Sequence, residues 1–401
     1  MAVPALSVYI HIPFCTVKCS YCGFYSRCAL SGEPERYIRQ LLRELEVKLK
    51  VMNPVKIPSL YIGGGTPTVL SPELFNDLLE RIRFILPDPP GEWTVEANPE
   101  SLTEEHLAVF QRNGVDRISL GIQSFSPRIL KILGRRAGPE DIRRAADLLG
   151  RCWSGSWNGD LICEVPGQTR QEALEDIRQL SSFNPGHVSL YTLSVEEGSP
   201  LEARIRKGEL DREGDPETWF AGMELLQTLG WERYEVSNFA RPGSESLHNT
   251  GYWKMRPYLG AGPSAVSTIP GTSGPIRITN RPDLEGYLAA VSPGDFGDKE
   301  RISFPEFLME YLLMGLRLVA GVEKEEIRRV FHLPLEELLP LWTEKGLDTG
   351  DLQEREGFWR LSPGGMDFLN PLLLEAQEEI DRRSSLWFPG REGGFPPVKW
   401  P

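Results

Sequence analysis

The chain of 401 residues carries a formal net charge of −13, which repels phosphate backbones and argues against a nucleic-acid partner. Hydrophobic residues make up 40% of the sequence and charged residues 25%, as in ordinary globular proteins, and no apolar run approaches the roughly 20 residues of a membrane span. The N-terminus lacks a secretion signal and the six cysteines form no secreted disulfide pattern, so a cytoplasmic location is expected.

The first half of the chain, from residue 6 to about 195, alternates between strand-like and helix-like stretches. Strands are predicted at residues 6–13, 59–62, 93–97, 117–122, 159–165 and 187–193. Helices are predicted at residues 35–51, 71–86, 103–113, 139–149 and 169–183. Strands that alternate with helices pair in parallel and are joined by right-handed crossovers. Six such units predict an α/β fold, a partial (β/α)6 TIM-like barrel over residues 1–195.

Three cysteines follow the first predicted strand at C-x3-C-x2-C spacing, as Cys15, Cys19 and Cys22. Soft thiolates suit either zinc or an iron–sulfur cluster. A structural zinc site needs four ligands, and the next cysteine, Cys28, lies six residues further on, a poor fit to a closed site. Three thiolates on a 4Fe–4S cube instead leave one iron open to a small molecule, and the rest of the sequence favours this interpretation.

Polar and glycine-rich stretches follow the predicted strands at the carboxyl edge, where such barrels place their chemistry. The run 63–68, Gly-Gly-Gly-Thr-Pro-Thr, follows the second strand, and its glycines let the backbone approach a ligand or simply form a turn. Glu96 ends the third strand, and burying it unpaired would be costly, so either a ligand or a structural salt bridge is expected beside it. Gln123, Arg135 and Asp160 lie at or after the next strand positions.

The cysteine loop, with Tyr21 before its last cysteine, resembles the radical S-adenosylmethionine (SAM) superfamily, and the lead-in Tyr-Ile-His-Ile-Pro-Phe-Cys narrows the resemblance to the coproporphyrinogen dehydrogenase-like family. The resemblance implies a barrel of the radical SAM type with a 4Fe–4S cluster on the three cysteines, whose open iron chelates SAM for cleavage to a 5′-deoxyadenosyl radical. It also implies these SAM contacts: Tyr9, Tyr21, Gly64, Gly65, Thr66, Glu96, Gln123, Arg135 and Asp160. Each alone could be a core polar residue, but their order at successive strand ends makes chance a poor explanation.

Residues 196–300 are predicted to complete the barrel and contain the string His-Asn-x-x-Tyr-Trp, from His248 to Trp253. This string resembles the motif of the haem-chaperone subgroup of the same family. Histidine is a common axial ligand of haem iron and aromatic rings suit a porphyrin face, so a haem contact is predicted at His248. On composition alone, a histidine beside aromatic residues is more often a core or surface residue.

Residues 301–380 are predicted to form a C-terminal winged-helix-like domain, and residues 381–401 a tail without a functional prediction. The predicted helices are 305–319, 323–331, 335–345 and 363–378, and the predicted strands are 351–354 and 358–361. Winged-helix modules often bind DNA, but acidic residues outnumber basic ones here, which favours a lid or a partner-docking role.

Two related functions compete. The dehydrogenase carries a fourth cysteine two residues after the third, and Phe24 stands there in this chain. This difference, together with the His248 motif, favours a haem chaperone that binds haem and passes it to an acceptor protein, assisted by the cluster and SAM. The alternatives are oxygen-independent coproporphyrinogen III dehydrogenase, a radical enzyme acting on another substrate, and a zinc-stabilised binding module.

The chain departs from the family pattern at three positions. Ala137 and Val266 stand where histidines are usual, and Glu164 replaces a glycine. These changes weaken the case for proton transfer or for recognition of a propionate-bearing substrate. The resemblance implies a haem-accepting protein and an electron donor such as a flavodoxin or ferredoxin as partners. Dimerisation and peripheral membrane association through the acceptor stay open.

Overall fold

The computed structural model of the chain describes residues 3–211, 214–271, 274–291 and 297–388. The strands, numbered β1 to β15, are Ser7–Ile12, Ser59–Gly64, Glu92–Ala97, Arg117–Gln123, Ser156–Cys163, His187–Thr192, Glu232–Arg233, Asn238–Ala240, Tyr258–Ala261, Val266–Ile269, Ile276–Asn280, Gly297–Arg301, Val322–Glu323, Leu352–Arg355 and Phe358–Leu361. The helices, numbered α1 to α16, are Glu33–Met52, Pro72–Ile85, Glu104–Asn113, Pro127–Leu133, Pro139–Cys152, Arg170–Ser182, Pro200–Arg206, Glu217–Thr228, Leu247–Trp253, Leu284–Ala289, Phe304–Gly315, Lys324–Phe331, Leu335–Leu338, Pro340–Thr349, Pro363–Asp367 and Leu369–Arg383.

One large sheet has the strand order β12-β11-β10-β9-β1-β2-β3-β4-β5-β6-β8-β7. Strands β1 to β6 are parallel and pair in sequence order, with at least one helix between each strand and the next. β9 extends the sheet parallel to β1 on the other side. The predicted partial (β/α)6 barrel is confirmed, and each of the six predicted parallel strands is observed to within a few residues.

The six parallel strands alternate between apolar and polar residues. The apolar positions, such as Val8, Leu60 and Ile118, belong to the main hydrophobic core. Because successive strand residues point to opposite faces, the polar positions share the other face. These polar positions are Ser7, Tyr9, His11, Ser59, Tyr61, Thr94, Glu96, Arg117, Ser119, Asn158, Asp160, His187 and Ser189. The inner face is therefore polar, which leaves room for a ligand cavity instead of a packed apolar centre.

A second hydrophobic core gathers residues of 302–387, called here the C-terminal unit. It combines α11 to α16 with the three-stranded sheet β13-β15-β14, which agrees with the predicted winged-helix-like fold and adds one short strand to the wing. The predicted helix 335–345 divides at Leu339, and the predicted helix 363–378 divides at Phe368. Trp387, in the predicted tail, is buried in this core, and residues 389–401 lie outside the described residues. No helix in the described ranges is long and apolar enough to cross a membrane.

Glu164 follows β5 with a φ of +58°, the left-handed conformation that glycine adopts without steric cost. A side chain with a Cβ is disfavoured there by about 1 kcal/mol. We therefore expect Glu164→Gly to increase the free energy of unfolding by up to about 1 kcal/mol, measured by urea denaturation. Gly167, at φ +74°, is the matched control, because Gly167→Ala should lower stability. Equal stability losses in both variants would contradict the conformational argument.

Candidate functional site

A cavity of about 680 Å³ lies between the loop after β1 and the inner faces of β2 to β6. Eleven of the thirteen residues predicted from the sequence line it, namely Cys15, Cys19, Tyr21, Cys22, Gly64, Gly65, Thr66, Glu96, Gln123, Arg135 and Asp160. The structure thus brings together residues from the cysteine loop and from four neighbouring strands, β2 to β5, or the loops after them. Their individual roles stay predictions.

The cysteine loop, residues 13–27, is held at both ends and in its middle. Cys15 N donates to Arg27 O at 3.0 Å, so the loop closes on itself. Ser20 N donates to Leu133 O at 3.0 Å and Ser20 Oγ to Ile132 O at 2.9 Å, which anchors the loop to the carboxyl end of α4. Helix α4 was missed by the sequence analysis, although Ser126-Pro127 before it and Gly134 after it are ordinary helix-end signals.

The three thiols of this loop are half-buried and line the cavity. Thr66 Oγ1 donates to Cys15 Sγ at 3.6 Å, and Arg135 Nη1 donates to Cys19 Sγ at 3.6 Å. Burial raises the pKa of the Cys15 and Cys22 thiols. In the described parts of the chain, no three His, Cys, Asp or Glu side chains converge on a point that would suit a single metal ion. A 4Fe–4S cube binds its thiolates at separate corners, so these three soft donors fit a cluster without converging.

The glycine run after β2 passes directly beneath the cysteine loop. Gly65 N donates to Ile12 O at 2.8 Å, and a Cβ at Gly65 would lie 2.5 Å from Phe14 O. Gly64 has a φ of +107°. A side chain at Gly65 would push the two segments apart, and the φ of Gly64 is one that residues with a Cβ rarely adopt, so both positions require glycine.

Glu96 is the penultimate residue of β3, and both of its carboxylate oxygens are hydrogen-bonded. Tyr61 Oη donates to Oε1 at 2.7 Å, and Gly64 N donates to Oε2 at 3.0 Å. Burial nevertheless raises the pKa of Glu96 to about 7. A ligand cation beside this carboxyl group would favour its ionised form, which suits the amino group that the resemblance predicts here.

Two further predicted residues hold polar positions on the cavity wall. Arg135 Nη2 donates to Gly121 O at 2.7 Å and to Asn98 Oδ1 at 3.0 Å. Its Nε is buried without a hydrogen-bond partner in the described ranges, which leaves a donor for a ligand oxygen. Asp160 accepts hydrogen bonds from Asn158 Nδ2 at 2.7 Å and Ser119 Oγ at 3.0 Å, and burial raises its pKa.

The sequence analysis missed Tyr61, Ser119 and Asn158, although each contacts a predicted site residue. Ser119 and Asn158 lie two residues before Gly121 and Asp160 on the same strand faces. The period-two alternation of polar residues was the signal that could have found them.

Gln123 ends β4 at a register irregularity with β5, and its φ of +69° is a further departure from regular strand geometry.

The other two predicted site residues, Tyr9 and His248, are not among the described residues that line the cavity. Tyr9 Oη is hydrogen-bonded to His11 Nδ1 at 3.0 Å, and its ring stacks at 6.2 Å on Tyr61. The side chain of His248 is buried, and this burial lowers its pKa to about 3, so the ring is neutral. A haem contact would require this ring to become accessible, and the contact stays a prediction.

Comparison with known proteins gives four findings. Residues 9–180 match the model of the Radical SAM superfamily. Heme chaperone HemW of Escherichia coli (strain K12) is 34% identical over 92% of this chain and 98% of its own length. Heme chaperone HemW of Bacillus subtilis (strain 168) is 32% identical over 85% of this chain and 92% of its own. The structure of coproporphyrinogen III oxidase (HemN) from Escherichia coli, a radical SAM enzyme, superposes with a TM-score of 0.79 at 19% identity, covering 93% of this chain and 90% of that one.

Proposed function

Because the chain belongs to the HemW family of heme chaperones within the radical SAM superfamily, we propose that it binds haem and transfers it to an acceptor protein. A 4Fe–4S cluster and SAM are the cofactors of this superfamily. The observation that carries the proposal is the 34% identity to a heme chaperone along 92% of the chain. The cavity supports it, since the three thiols, the glycine run and the two carboxylates line the same cavity.

Within this cavity, each group has a distinct task. Cys15, Cys19 and Cys22 would hold the cluster, which would supply an electron and an open iron for SAM. Glu96, whose orientation is fixed by two donors, would accept the SAM amino group. Asp160 is oriented by two donors of its own, and its remaining acceptor positions would bind the ribose hydroxyls.

Partners follow from this function. A haem chaperone needs a haem-accepting protein, and a radical SAM site needs a reductant. We propose a flavodoxin or a ferredoxin as that reductant and the cytoplasm as the location, since both fit a cluster that requires a reducing compartment.

Oxygen-independent coproporphyrinogen III dehydrogenase is the second candidate, since HemN has the same fold as this chain. Phe24 argues against it, because this residue is 65% exposed at the cavity rim where the dehydrogenase motif has its fourth cysteine. The fold is common to both functions and does not choose between them.

Hemin titration separates the two candidates. We expect the full chain, purified and reconstituted without oxygen, to give a saturable shift of the Soret band at one haem per chain. The bound haem should then move to apomyoglobin, used as a probe acceptor, on a measurable time course. Incubation with coproporphyrinogen III, SAM and dithionite should give no protoporphyrinogen. Formation of that product, or an unsaturable hemin spectrum, would contradict the chaperone proposal.

A further inference from the structure

Helix α9, which carries the His-Asn-x-x-Tyr-Trp motif, is fixed to the barrel at its first turn. Glu92, at the start of β3, accepts the backbone N–H of Leu247 at 3.0 Å and of His248 at 2.9 Å. Its Oε1 also lies 3.3 Å from Ser246 Oγ, which donates to it. A buried carboxylate that satisfies the free N–H groups of a helix start holds that helix firmly in place.

The ring of His248 packs against β2 from this fixed position. Its plane lies 28° from that of Tyr61 with the ring centroids 5.0 Å apart, which is a stacked contact. Nδ1 of His248 lies at hydrogen-bond distance, 2.8 Å, from Ser59 Oγ on the same strand. The ring of Tyr252 also packs edge-on against the His248 ring, with the ring centroids 4.7 Å apart and an angle of 83° between the ring planes. Two contacts to one strand leave the imidazole a single orientation.

Tyr61 connects this packing to the cavity. One face of its ring meets His248, and its hydroxyl donates to Glu96 Oε1 at 2.7 Å. We infer that His248 is a positioning residue for the SAM site, which holds the Tyr61 ring so that its hydroxyl orients Glu96 toward the SAM amino group. This inference rests on the proposed use of Glu96 as a SAM contact.

The surroundings of His248 fit positioning better than haem ligation. An axial ligand must present a ring nitrogen to a space wide enough for a porphyrin, whereas His248 is 2% exposed and enclosed by Tyr61 and Tyr252. The far end of α9 is also anchored, because Arg317 lies over the Trp253 ring at 5.4 Å. Haem could reach this ring only if the helix moved away from β2, which would also release Tyr61.

The test uses three variants of the reconstituted full chain: Tyr61→Phe, His248→Ala and His248→Phe. Tyr61→Phe keeps the ring contact but removes the donor to Glu96, so the Kd for SAM should rise about tenfold. His248→Ala removes the stacked ring and should raise it by roughly threefold to tenfold. His248→Phe restores a ring and should recover most of the affinity. SAM binding is followed by equilibrium dialysis and by the change that SAM causes in the EPR spectrum of the reduced cluster.

Hemin titration of the same variants distinguishes the two roles of His248. We expect Tyr61→Phe to bind hemin with the affinity of the unchanged chain. A loss of hemin binding in His248→Ala with unchanged SAM affinity would overturn the inference, as would equal SAM losses in His248→Ala and His248→Phe. Should His248→Ala fail to fold, the SAM affinities of Tyr61→Phe and His248→Phe still test the inference. Failure of the unchanged chain to bind hemin would refute only the chaperone proposal.

Discussion

Alanine at Cys15, Cys19 or Cys22 is expected to abolish the 4Fe–4S cluster, the largest effect that we predict for a single substitution. Each cysteine supplies the only protein ligand to one corner of the proposed cube, so two remaining thiolates cannot hold it. After anaerobic reconstitution, iron and sulfide should fall from about four per chain to near zero, with loss of the broad visible absorption. SAM binding should be lost with the cluster, because the open iron is part of the SAM site.

Cys28→Ala is the matched control for these variants. Cys28 follows the cysteine loop directly. Its thiol is exposed and donates to Thr16 O in that loop, but it is not among the described residues that line the cavity. Iron and sulfide should therefore be unchanged. Full iron content in Cys22→Ala, loss of the cluster in Cys28→Ala, or zinc without iron in the unchanged chain would each refute the assignment.

The barrel could be predicted because the sequence signals for its strands and helices are local. Apolar runs bounded by turns mark the strands, and capped amphipathic stretches such as the one starting at Ser71 mark the helices. Parallel order then brings the carboxyl ends of the strands together, which is why Glu96, Gln123 and Asp160 could be grouped from sequence position alone. In the C-terminal unit, the break at Leu339 was also accessible, since Pro340 disfavours a helical conformation at the residue before it.

The position of His248 could not be predicted, because it depends on contacts far apart in the sequence. Its ring meets Ser59 and Tyr61, nearly 190 residues earlier in the chain, and its backbone is held by Glu92. A motif identifies the residue types that a family keeps, but packing decides whether a ring faces a ligand or a strand. The conformation of Glu164 could not be predicted either, since a positive φ at a non-glycine residue has no local signature in the sequence.

The affinity for SAM is expected to fall as the pH is lowered through neutrality. Burial raises the pKa of Glu96 to about 7 in the SAM-free protein, so the carboxyl group is ionised above this pH and neutral below it. Only the carboxylate attracts the SAM ammonium group, hence the Kd should rise about tenfold for each pH unit below the pKa. The other titratable groups that act on Glu96 are the Tyr61 hydroxyl, on β2, and Asp160, on β5.

Glu96→Gln should raise the Kd for SAM by roughly 10- to 100-fold at pH 8 and remove most of the pH dependence, because an amide offers no charge to the ammonium group. Glu235→Gln is the matched control. Burial raises the pKa of Glu235 to about 7 as well, yet this residue does not line the cavity formed by the described residues. Its substitution should leave the pH profile of SAM binding unchanged. A profile that is flat in the unchanged chain, or that moves with Glu235→Gln and not with Glu96→Gln, would show that Glu96 does not hold the amino group.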